Sequence, residues 1–208
     1  MANQAGTRLA VKLDFVCGLI DAGLVTNGTR DNRGVEVQLG ELVGWANMFW
    51  ALTAAMALDP QDGPGGTKIP KLEWAALIRV FGAVAWPNVE RVAAQTLASS
   101  LMVQPSSVLD LRSRELRPTI DRFYRGSAGT AEDRIKLFKH LWDAVGSEFG
   151  ARHTLYERNY GGSHEQVRVD LLNFSRRRGR LDEMRALVET CLGDYDLDGW
   201  TQATWINT

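Results

Sequence analysis

Apolar residues recur at three- and four-residue spacing through most of the chain, and this helical period constrains the fold more than any other feature. Between residues 33 and 58, Val35, Leu39 and Leu42 follow it, and other apolar residues widen the face enough for burial on more than one side. No alternating run of strand length is present. The sequence therefore predicts an all-α helical bundle, with residues 1–208 as a single domain. The predicted helices cover about residues 4–25, 33–58, 72–100, 110–125, 131–160, 165–177 and 181–194.

Glycine and proline mark where these helices are expected to stop. The segment 59–70 is rich in both and predicts a mobile surface loop. Pro87 lies inside a helical pattern, where it removes a hydrogen bond, so we expect a kink or a split with Asn88 capping the second piece. Pro118 suits the first turn of its own helix. The tail after residue 194 shows no periodicity.

The composition is that of an ordinary globular protein, with a formal net charge of −1 at pH 7. Such a charge gives no indication of a nucleic acid or membrane-surface partner. No apolar run is long enough to cross a membrane, and the first residues lack an export signal, so we expect a cytoplasmic protein. Cys17 and Cys191 lie far apart in helical patterns and are expected to be buried, reduced thiols. Their number and spacing predict no zinc or iron–sulfur site.

The densest polar chemistry lies in residues 147–168, in two helix-sized runs separated by Gly161 and Gly162. A glycine pair permits positive φ and a close approach to a ligand. Ser163, with Gln166 three residues later, predicts an N-cap and capping box for a new helix. The free N–H groups of that helix can hold an anion such as phosphate. The alternative is an ordinary helix–turn–helix corner.

Charged side chains in this stretch add to the same hypothesis. Arg152, Arg158 and Arg168 are candidates to face an anion, because arginine pairs bidentately with phosphate. The alternative for each is a solvated or ion-paired helix surface. His153 and Glu157 share a helix face at four-residue spacing, but the further ligands that a metal needs are missing. We therefore predict no metal site.

The run SEFGARHTLYERNYGGSHEQVR resembles the corresponding run of the 4-hydroxyphenylacetate 3-hydroxylase family. Other segments resemble the same family in the same order: TRLAVKLDFVCGLI, RGVEVQLGELVGWANMFWAL, PSSVLDL, LRPTIDRFYRGS, RIKLFKHLWDAVGSEFG and DYDLDGWT. The resemblance covers nearly the whole chain, but only the family's C-terminal helical domain. Its N-terminal domain and middle β-domain have no counterpart in this sequence. The resemblance implies a bundle like the C-terminal domain of the acyl-CoA dehydrogenases.

The resemblance also implies a function. Members of this family are oxygenase components that use reduced FAD, supplied by a separate flavin reductase, to hydroxylate a phenolic substrate ortho to its hydroxyl group. The residues that hold the phenol lie in the N-terminal domain, so no catalytic residue is expected here. This chain is expected to supply walls of the flavin site and the interfaces of a homo-oligomer, a dimer or tetramer.

Flavin contacts follow from the same resemblance. In the wider fold an arginine on the second helix contacts the flavin pyrophosphate near a subunit interface, and Arg33 is the candidate, with Gln38 a weaker one. The turn at residues 104–107 matches a flavin-touching loop whose glycines are serines here, so a plain helix-starting turn is its alternative. The expected cofactor-binding residues are Arg33, Gln38, Gln104, Ser106, Ser107, His153, Tyr156, Arg158, Asn159, Tyr160, Gly161 and Gly162.

Two functions of different classes remain open from the sequence. One is a flavin-dependent phenol monooxygenase of which this chain is the C-terminal part. The other is a non-catalytic helical module that oligomerises and has lost the reaction. A third possibility, the related 4-hydroxybutyryl-CoA dehydratase, shares the fold but needs an iron–sulfur cluster, for which this chain offers no suitably placed cysteines.

Overall fold

The computed structural model describes residues 2–97 and 99–193, where the regular structure is helical apart from one small hairpin. The all-α prediction is confirmed, and the first two helices end close to their predicted bounds. The predicted tail after residue 194 lies outside the described residues. The helices are α1 (Ala2–Asn27), α2 (Arg33–Leu58), α3 (Leu72–Leu97), α4 (Ser99–Met102), α5 (Val108–Arg112), α6 (Arg117–Phe123), α7 (Ala131–Val145), α8 (Glu148–Asn159), α9 (His164–Arg177) and α10 (Arg180–Gly193).

Three long helices, α1, α2 and α3, surround the main apolar core, and α7 completes it. Leu13, Phe49 and Phe138 are fully buried there. Small residues let the helices approach closely, because a Cβ added to Gly6 would lie 3.0 Å from Cδ1 of Ile78. Burial of these side chains supplies the main stabilising free energy of the bundle.

The predicted continuous helix 131–160 is wrong, because the chain breaks at Gly146 and Ser147 into α7 and α8. The N–H groups of both residues donate to the carbonyl of Trp142, at 2.8 and 2.9 Å, and end α7. The Ser147 hydroxyl then accepts from the N–H of Gly150 at 3.1 Å and caps α8. A glycine stop followed by a serine cap therefore outweighs the continuous apolar period.

The segment 59–70 is more regular than the predicted loop. Strands β1 (Pro60–Asp62) and β2 (Lys68–Pro70) pair in antiparallel register around a 3₁₀ turn at Pro64–Gly66. Strands of three residues are too short to show a period of two, so sequence periodicity could not predict them.

Pro87 does not split α3, which runs through it without interruption. The predicted cap at Asn88 is therefore wrong, and its Nδ2 instead donates to Oε1 of Glu41 at 2.8 Å. The neighbouring Trp86 is 2% exposed and Val89 is fully buried. Tertiary packing on both sides of the proline thus overrides its low helix propensity.

The short helices α5 and α6 close a second, smaller apolar cluster against α7, formed by Ile120, Ala131 and Ile135. Pro118 lies in the first turn of α6, as predicted. The start of α7 is fixed by a capping box between Thr130 and Asp133. The segment between α3 and α7 buries few side chains, so these helix starts contribute much of its order.

The C-terminal helices are the least buried part of the described chain. Val167 anchors α9 on α3, whereas α10 has no buried residue. Cys17 is buried as expected, and burial, followed by the charge of Asp14, raises the pKa of its thiol to about 11. Cys191 on α10 is exposed, so the expectation that it is buried is wrong.

Across residues 2–97 and 99–193, no helix combines the length and apolar character needed to cross a membrane.

Candidate functional site

A charged cluster joins α1 to α8 around one buried carboxylate. Glu157 is 5% exposed. Its carboxylate accepts from Nη2 of Arg8 at 3.0 Å and from Nζ of Lys12 at 2.5 Å. Arg8 and Lys12 lie one turn apart on α1, which brings both cations to the same acceptor. Two cations around one carboxylate leave an excess of one positive charge at this place.

The same lysine fixes the state of His153. Nζ of Lys12 lies 2.8 Å from Nδ1 of His153. An ammonium group is only a donor, so Nδ1 accepts and the ring proton is on Nε2. Burial and then the charge of Lys12 lower the pKa of His153, with a raising effect of Glu157 and a lowering effect of Arg8. The imidazole is therefore neutral at pH 7 and keeps an Nε2–H donor.

Tyr156 of α8 and Tyr160, the residue that follows the helix, cover the guanidinium of Arg8. Its Cζ lies 4.4 Å from the ring centre of Tyr156 and 4.7 Å from that of Tyr160. The two tyrosine rings are 4.9 Å apart. Arg8 also donates to the Tyr156 hydroxyl. Cation–π contact and hydrogen bonding together hold this arginine and the end of α8 in one arrangement.

The third helix, α3, supplies the floor below α8. Nε1 of Trp86 donates to the Thr154 hydroxyl at 3.2 Å. That hydroxyl donates in turn to the carboxylate of Glu90. Trp86 is almost completely buried, so the indole N–H needs this partner. These two hydrogen bonds fix the position of α8 relative to α3.

The Gly161–Gly162 corner forms as predicted, but its close approach is to α3. Nε and Nη2 of Arg79 both donate to the carbonyl of Gly161, at 2.8 and 2.5 Å. Its Nη1 lies 3.6 Å from Asp170 of α9. Gly162 has φ of 95°, and the Ser163 hydroxyl accepts from the N–H of Gln166 at 3.4 Å. The predicted N-cap is confirmed, but the predicted capping box is wrong, because the Gln166 side chain donates to Asp170 instead of the Ser163 N–H. Arg79 holds the corner from below.

The arginines predicted to face an anion have different surroundings. Arg152 pairs with Glu148 on the surface of α8, at 2.5 Å. Arg168 donates to the carbonyl of His164 at 2.5 Å. The exposed side chain of Arg158 has no hydrogen bond or ion pair within residues 2–97 and 99–193. Of the three, Arg158 is therefore the one whose guanidinium is available to a ligand.

Three other predicted residues lie away from this cluster or only at its rim. The exposed Arg33 begins α2 and has no side-chain partner within the described part of the chain. Gln38, on the same helix, has a buried Oε1 without a partner there. Asn159, at the end of α8, donates from Nδ2 to the carbonyl of Leu155 at 2.8 Å. The structure gives Arg33 and Gln38 no hydrogen bond to the α8 cluster among the described residues.

The turn at residues 104–107 uses its polar groups for local contacts. The Ser107 hydroxyl accepts from the N–H of Leu109, and Asp110 completes a capping box at the start of α5. The Ser106 hydroxyl lies 3.3 Å from Oδ2 of the same aspartate. Nε2 of Gln104 donates to the carbonyl of Ser100, while its buried Oε1 has no partner in the described chain. The turn starts α5, and its contact with flavin stays a prediction.

Sequence reasoning missed the residues that organise the site from other helices. Arg8 and Lys12 contact the predicted Tyr156 and His153, Arg79 holds the predicted Gly161, and Trp86 bonds to Thr154 of α8, but none of these four was a candidate. One signal was present, because Arg8 and Lys12 are spaced by one helical turn in a helix otherwise rich in apolar and small residues. For Arg79 we find no local signal.

Metal ligands are not grouped anywhere in residues 2–97 and 99–193, where no cluster of three His, Cys, Asp or Glu side chains could hold an ion.

The sequence matches one protein family and several of its members. Residues 1–189 match a family described as "4-hydroxyphenylacetate 3-hydroxylase C terminal". A Streptomyces globisporus monooxygenase that acts on a carrier-bound 3-amino-3-(3-chloro-4-hydroxyphenyl)propanoyl group is 44% identical over 196 residues, 94% of this chain and 37% of that protein. The 4-hydroxyphenylacetate 3-monooxygenase oxygenase component of Pseudomonas aeruginosa is 43% identical over 199 residues, 95% of this chain and 38% of its own length.

The fold has a solved counterpart. An oxygenase component of 4-hydroxyphenylacetate 3-monooxygenase, crystallised with FAD and 4-hydroxyphenylacetate, superimposes with a TM-score of 0.85 at 23% identity, over 94% of this chain and 41% of that one. The chain thus spans about two-fifths of the length of the relatives that it matches.

Proposed function

The chain belongs to the 4-hydroxyphenylacetate 3-hydroxylase C-terminal family, and we propose that it is the C-terminal domain of a monooxygenase that adds a hydroxyl group ortho to the hydroxyl of a phenol. The single observation that carries this proposal is the family match over residues 1–189. Relatives above 40% identity support the substrate class, since both are named for para-substituted phenols. The reaction consumes reduced flavin, O₂ and the phenol, and yields oxidised flavin, water and the catechol.

Reduced FAD is the proposed cofactor, and the chain's own residues fit it. The solved counterpart was crystallised with FAD. In this chain, Arg33 and Arg158 are exposed cations without partners among the described residues, as a pyrophosphate requires. The buried amide oxygens of Gln38 and Gln104 also have no partner there, and a flavin ring presents N–H donors. When bound, the flavin supplies the redox chemistry.

Within that proposal the α8 cluster orients one wall of the cofactor site. Tyr156 and Tyr160 are held by Arg8, and His153 is held by Lys12 as a neutral ring with an N–H donor. Charge-assisted bonds to Glu157 keep these side chains in one arrangement before the cofactor arrives. The preformed wall excludes water from one side of the site. Ser106 and Ser107 contribute less, because their hydroxyls already serve α5.

The proposed partners follow from the same membership. An "oxygenase component" needs a separate flavin reductase as its source of reduced FAD. The remaining part of an oxygenase supplies the residues that hold the phenol. A homo-oligomer is supported by the exposed apolar side chains of α2, among them Val37 at 65% and Trp50 at 40% exposure. If light scattering gave the mass of a monomer at tens of micromolar, that result would count against the oligomer.

A chimeric oxygenase tests the proposed function. The part of the Pseudomonas aeruginosa oxygenase component that this chain does not match is joined to residues 1–208, and the product is assayed with a flavin reductase, NADH and 4-hydroxyphenylacetate. We expect 3,4-dihydroxyphenylacetate with one oxygen atom from ¹⁸O₂. The control is the Pseudomonas aeruginosa part alone, without this chain. A chimera that folds and binds reduced FAD but forms no catechol would support the non-catalytic helical module instead.

A further inference from the structure

The second helix, α2, carries two stripes of residues at alternating spacings of three and four. The inner stripe is buried or half-buried in the bundle and consists of Val35, Leu39, Leu42, Ala46, Phe49, Thr53 and Met56. The outer stripe lies on the opposite side of the helix, is exposed throughout and consists of Val37, Gly40, Gly44, Asn47, Ala51, Ala54 and Leu58. A helix with two such stripes is suited to packing on both sides.

Two glycines of the outer stripe serve no packing contact among the described residues. A Cβ added to Gly40 or Gly44 would meet no atom there within 4 Å, whereas one added to Gly6 of α1 would lie 3.0 Å from Cδ1 of Ile78. Glycine inside a helix is destabilising relative to alanine. Two glycines at four-residue spacing let the backbone of another helix approach closely. Their cost is therefore explained by a contact outside this chain.

Asn47 lies at the middle of the outer stripe. It is exposed, and its amide makes no hydrogen bond within residues 2–97 and 99–193. One asparagine in an otherwise apolar seam fixes the register of paired helices. Because an amide both donates and accepts, two Asn47 side chains related by a two-fold axis can bond to each other. The central residue of the stripe is thus complementary to its own copy.

The charges of α2 favour an antiparallel pair. They are confined to Arg33, Glu36 and Glu41, and none occurs from Leu42 to Leu58. In a parallel pair of α2 helices, each of these charges would lie near the same charge of the second copy. In an antiparallel pair they lie beside its uncharged half, and the opposite ends of the two helix dipoles come together.

Side-chain volumes favour the same orientation. Around a two-fold axis at Asn47, the indole of Trp50 lies over Gly44 of the second copy, and Gly40 lies opposite Ala54. In a parallel pair the two Trp50 side chains would meet each other, and the glycines would face glycines and leave a gap. Only the antiparallel pair places bulky side chains against small ones, as close packing requires.

The first helix, α1, widens this face beside the outer stripe. Nε1 of Trp50 donates to the Asp14 carboxylate of α1 at 2.8 Å. On the same side of α1, Val11 is 51% exposed, and a Cβ added to Gly18 would meet no described atom within 4 Å. Two adjacent helices over the length of the stripe offer on the order of 600 Å² in projection. This area is close to the roughly 800 Å² per partner of a stable interface.

We propose that α2 pairs with α2 of a second copy of this chain, antiparallel about a two-fold axis at Asn47. The helices overlap from Val37 to Ala57, so Arg33 lies beyond the overlap and stays available to a pyrophosphate. The proposal deepens the homo-oligomer of the proposed function, because it gives that assembly a surface, an orientation and a central residue. The pair needs no flavin.

Sedimentation equilibrium of the full chain tests the pair. We expect association at tens of micromolar, and Gly44→Leu should raise the dissociation constant about tenfold or more, because the leucine separates the helices. A tetramer that falls to a dimer has the same meaning as a dimer that falls to a monomer. The matched control is Gly34→Leu, in equally open space on α2 but outside the overlap, with an expected change below about twofold. A monomeric wild type, or equal effects of the two substitutions, would overturn the proposal.

Cross-linking tests the orientation. Cys191 is exposed and Cys17 is buried, so Cys191→Ser supplies a background without an accessible thiol among the described residues. In that background, Asn47→Cys should be joined to its own copy by a short bis-maleimide reagent. Val37→Cys should not be joined, because the two thiols lie about 30 Å apart in the antiparallel pair. Cross-linking at both positions would show a parallel pair and cross-linking at neither would show another surface, and either result would overturn the proposal.

Failure here and failure of the proposed function have different signatures. Association unaffected by Gly44→Leu, in a chimera that still hydroxylates, would refute the α2 pair alone. Association and cross-linking as predicted, in a chimera that forms no catechol, would refute the proposed function and keep the α2 pair.

Discussion

The α8–α9 corner and the turn at residues 104–107 each connect two helices, but they are held in different ways. Side chains far away in sequence hold the corner, with Arg79 of α3 beneath it and Arg8 of α1 against its tyrosines. The turn is held by its own neighbours, since Ser107 and Asp110 cap each other. Local capping fixes a helix start, whereas long-range contacts fix how the α8–α9 corner lies against α1 and α3.

Of the substitutions near the corner, that of the buried Glu157 carboxylate should lower the free energy of unfolding most. Glu157→Gln leaves Arg8 and Lys12 without their shared charge partner, and we expect the free energy of unfolding to fall by about 3 kcal/mol. Urea unfolding measures it. Glu189→Gln, on the exposed surface of α10, is the control and should change little. Equal effects of the two substitutions would contradict the central place of Glu157.

The clamp beneath the corner should have the next largest effect. Arg79→Met removes two hydrogen bonds to the Gly161 carbonyl, and we expect a loss of about 2 kcal/mol. Arg91→Met is matched in helix and exposure, but its bonds reach exposed side chains of α2 and α3, so a loss of about 0.5 kcal/mol is expected. If Arg91 proved the more costly of the two, the corner would not depend on α3.

Substitutions in the turn at residues 104–107 should lower stability less, and their effect should stay within α5. Ser107→Ala removes the cap of α5, and we expect a loss of about 1 kcal/mol. Ser106→Ala, one residue earlier, should be nearly neutral. Hydrogen exchange of the α5 amides is the measurement, because the effect should stay within that helix. Faster exchange in α8 would show that the turn and the corner are coupled.

The smallest effect concerns pH at the corner. Because the folded-state pKa of His153 lies below its ordinary value, the unfolded chain binds more protons in the window below about pH 6.5. Stability is therefore fully present above that window and falls as the pH decreases through it. Comparison of wild type with His153→Gln between about pH 7.5 and 5.5 isolates this contribution. Identical pH dependence in both proteins would contradict the assigned neutral ring.

Sequence reasoning succeeded where the signal is local. The apolar periods of α1 and α2, the Ser163 cap and the place of Pro118 are properties of a few neighbouring residues. It failed at Gly146–Ser147, where capping chemistry competed with periodicity. It also could not find Arg79 or Trp86, because a residue that supports a site from another helix carries no mark of that role in its own segment. The tertiary arrangement alone brings them to α8.

Anaerobic titration of the chimeric oxygenase with reduced FAD tests most directly whether this domain forms a wall of the flavin site. Arg33→Ala and Arg158→Ala remove the two exposed guanidinium groups proposed for the pyrophosphate, and Arg185→Ala is the control on α10. We predict that each of the first two substitutions weakens reduced FAD binding by about tenfold or more and that the control does not. Unchanged affinity in both Arg33→Ala and Arg158→Ala would contradict the account.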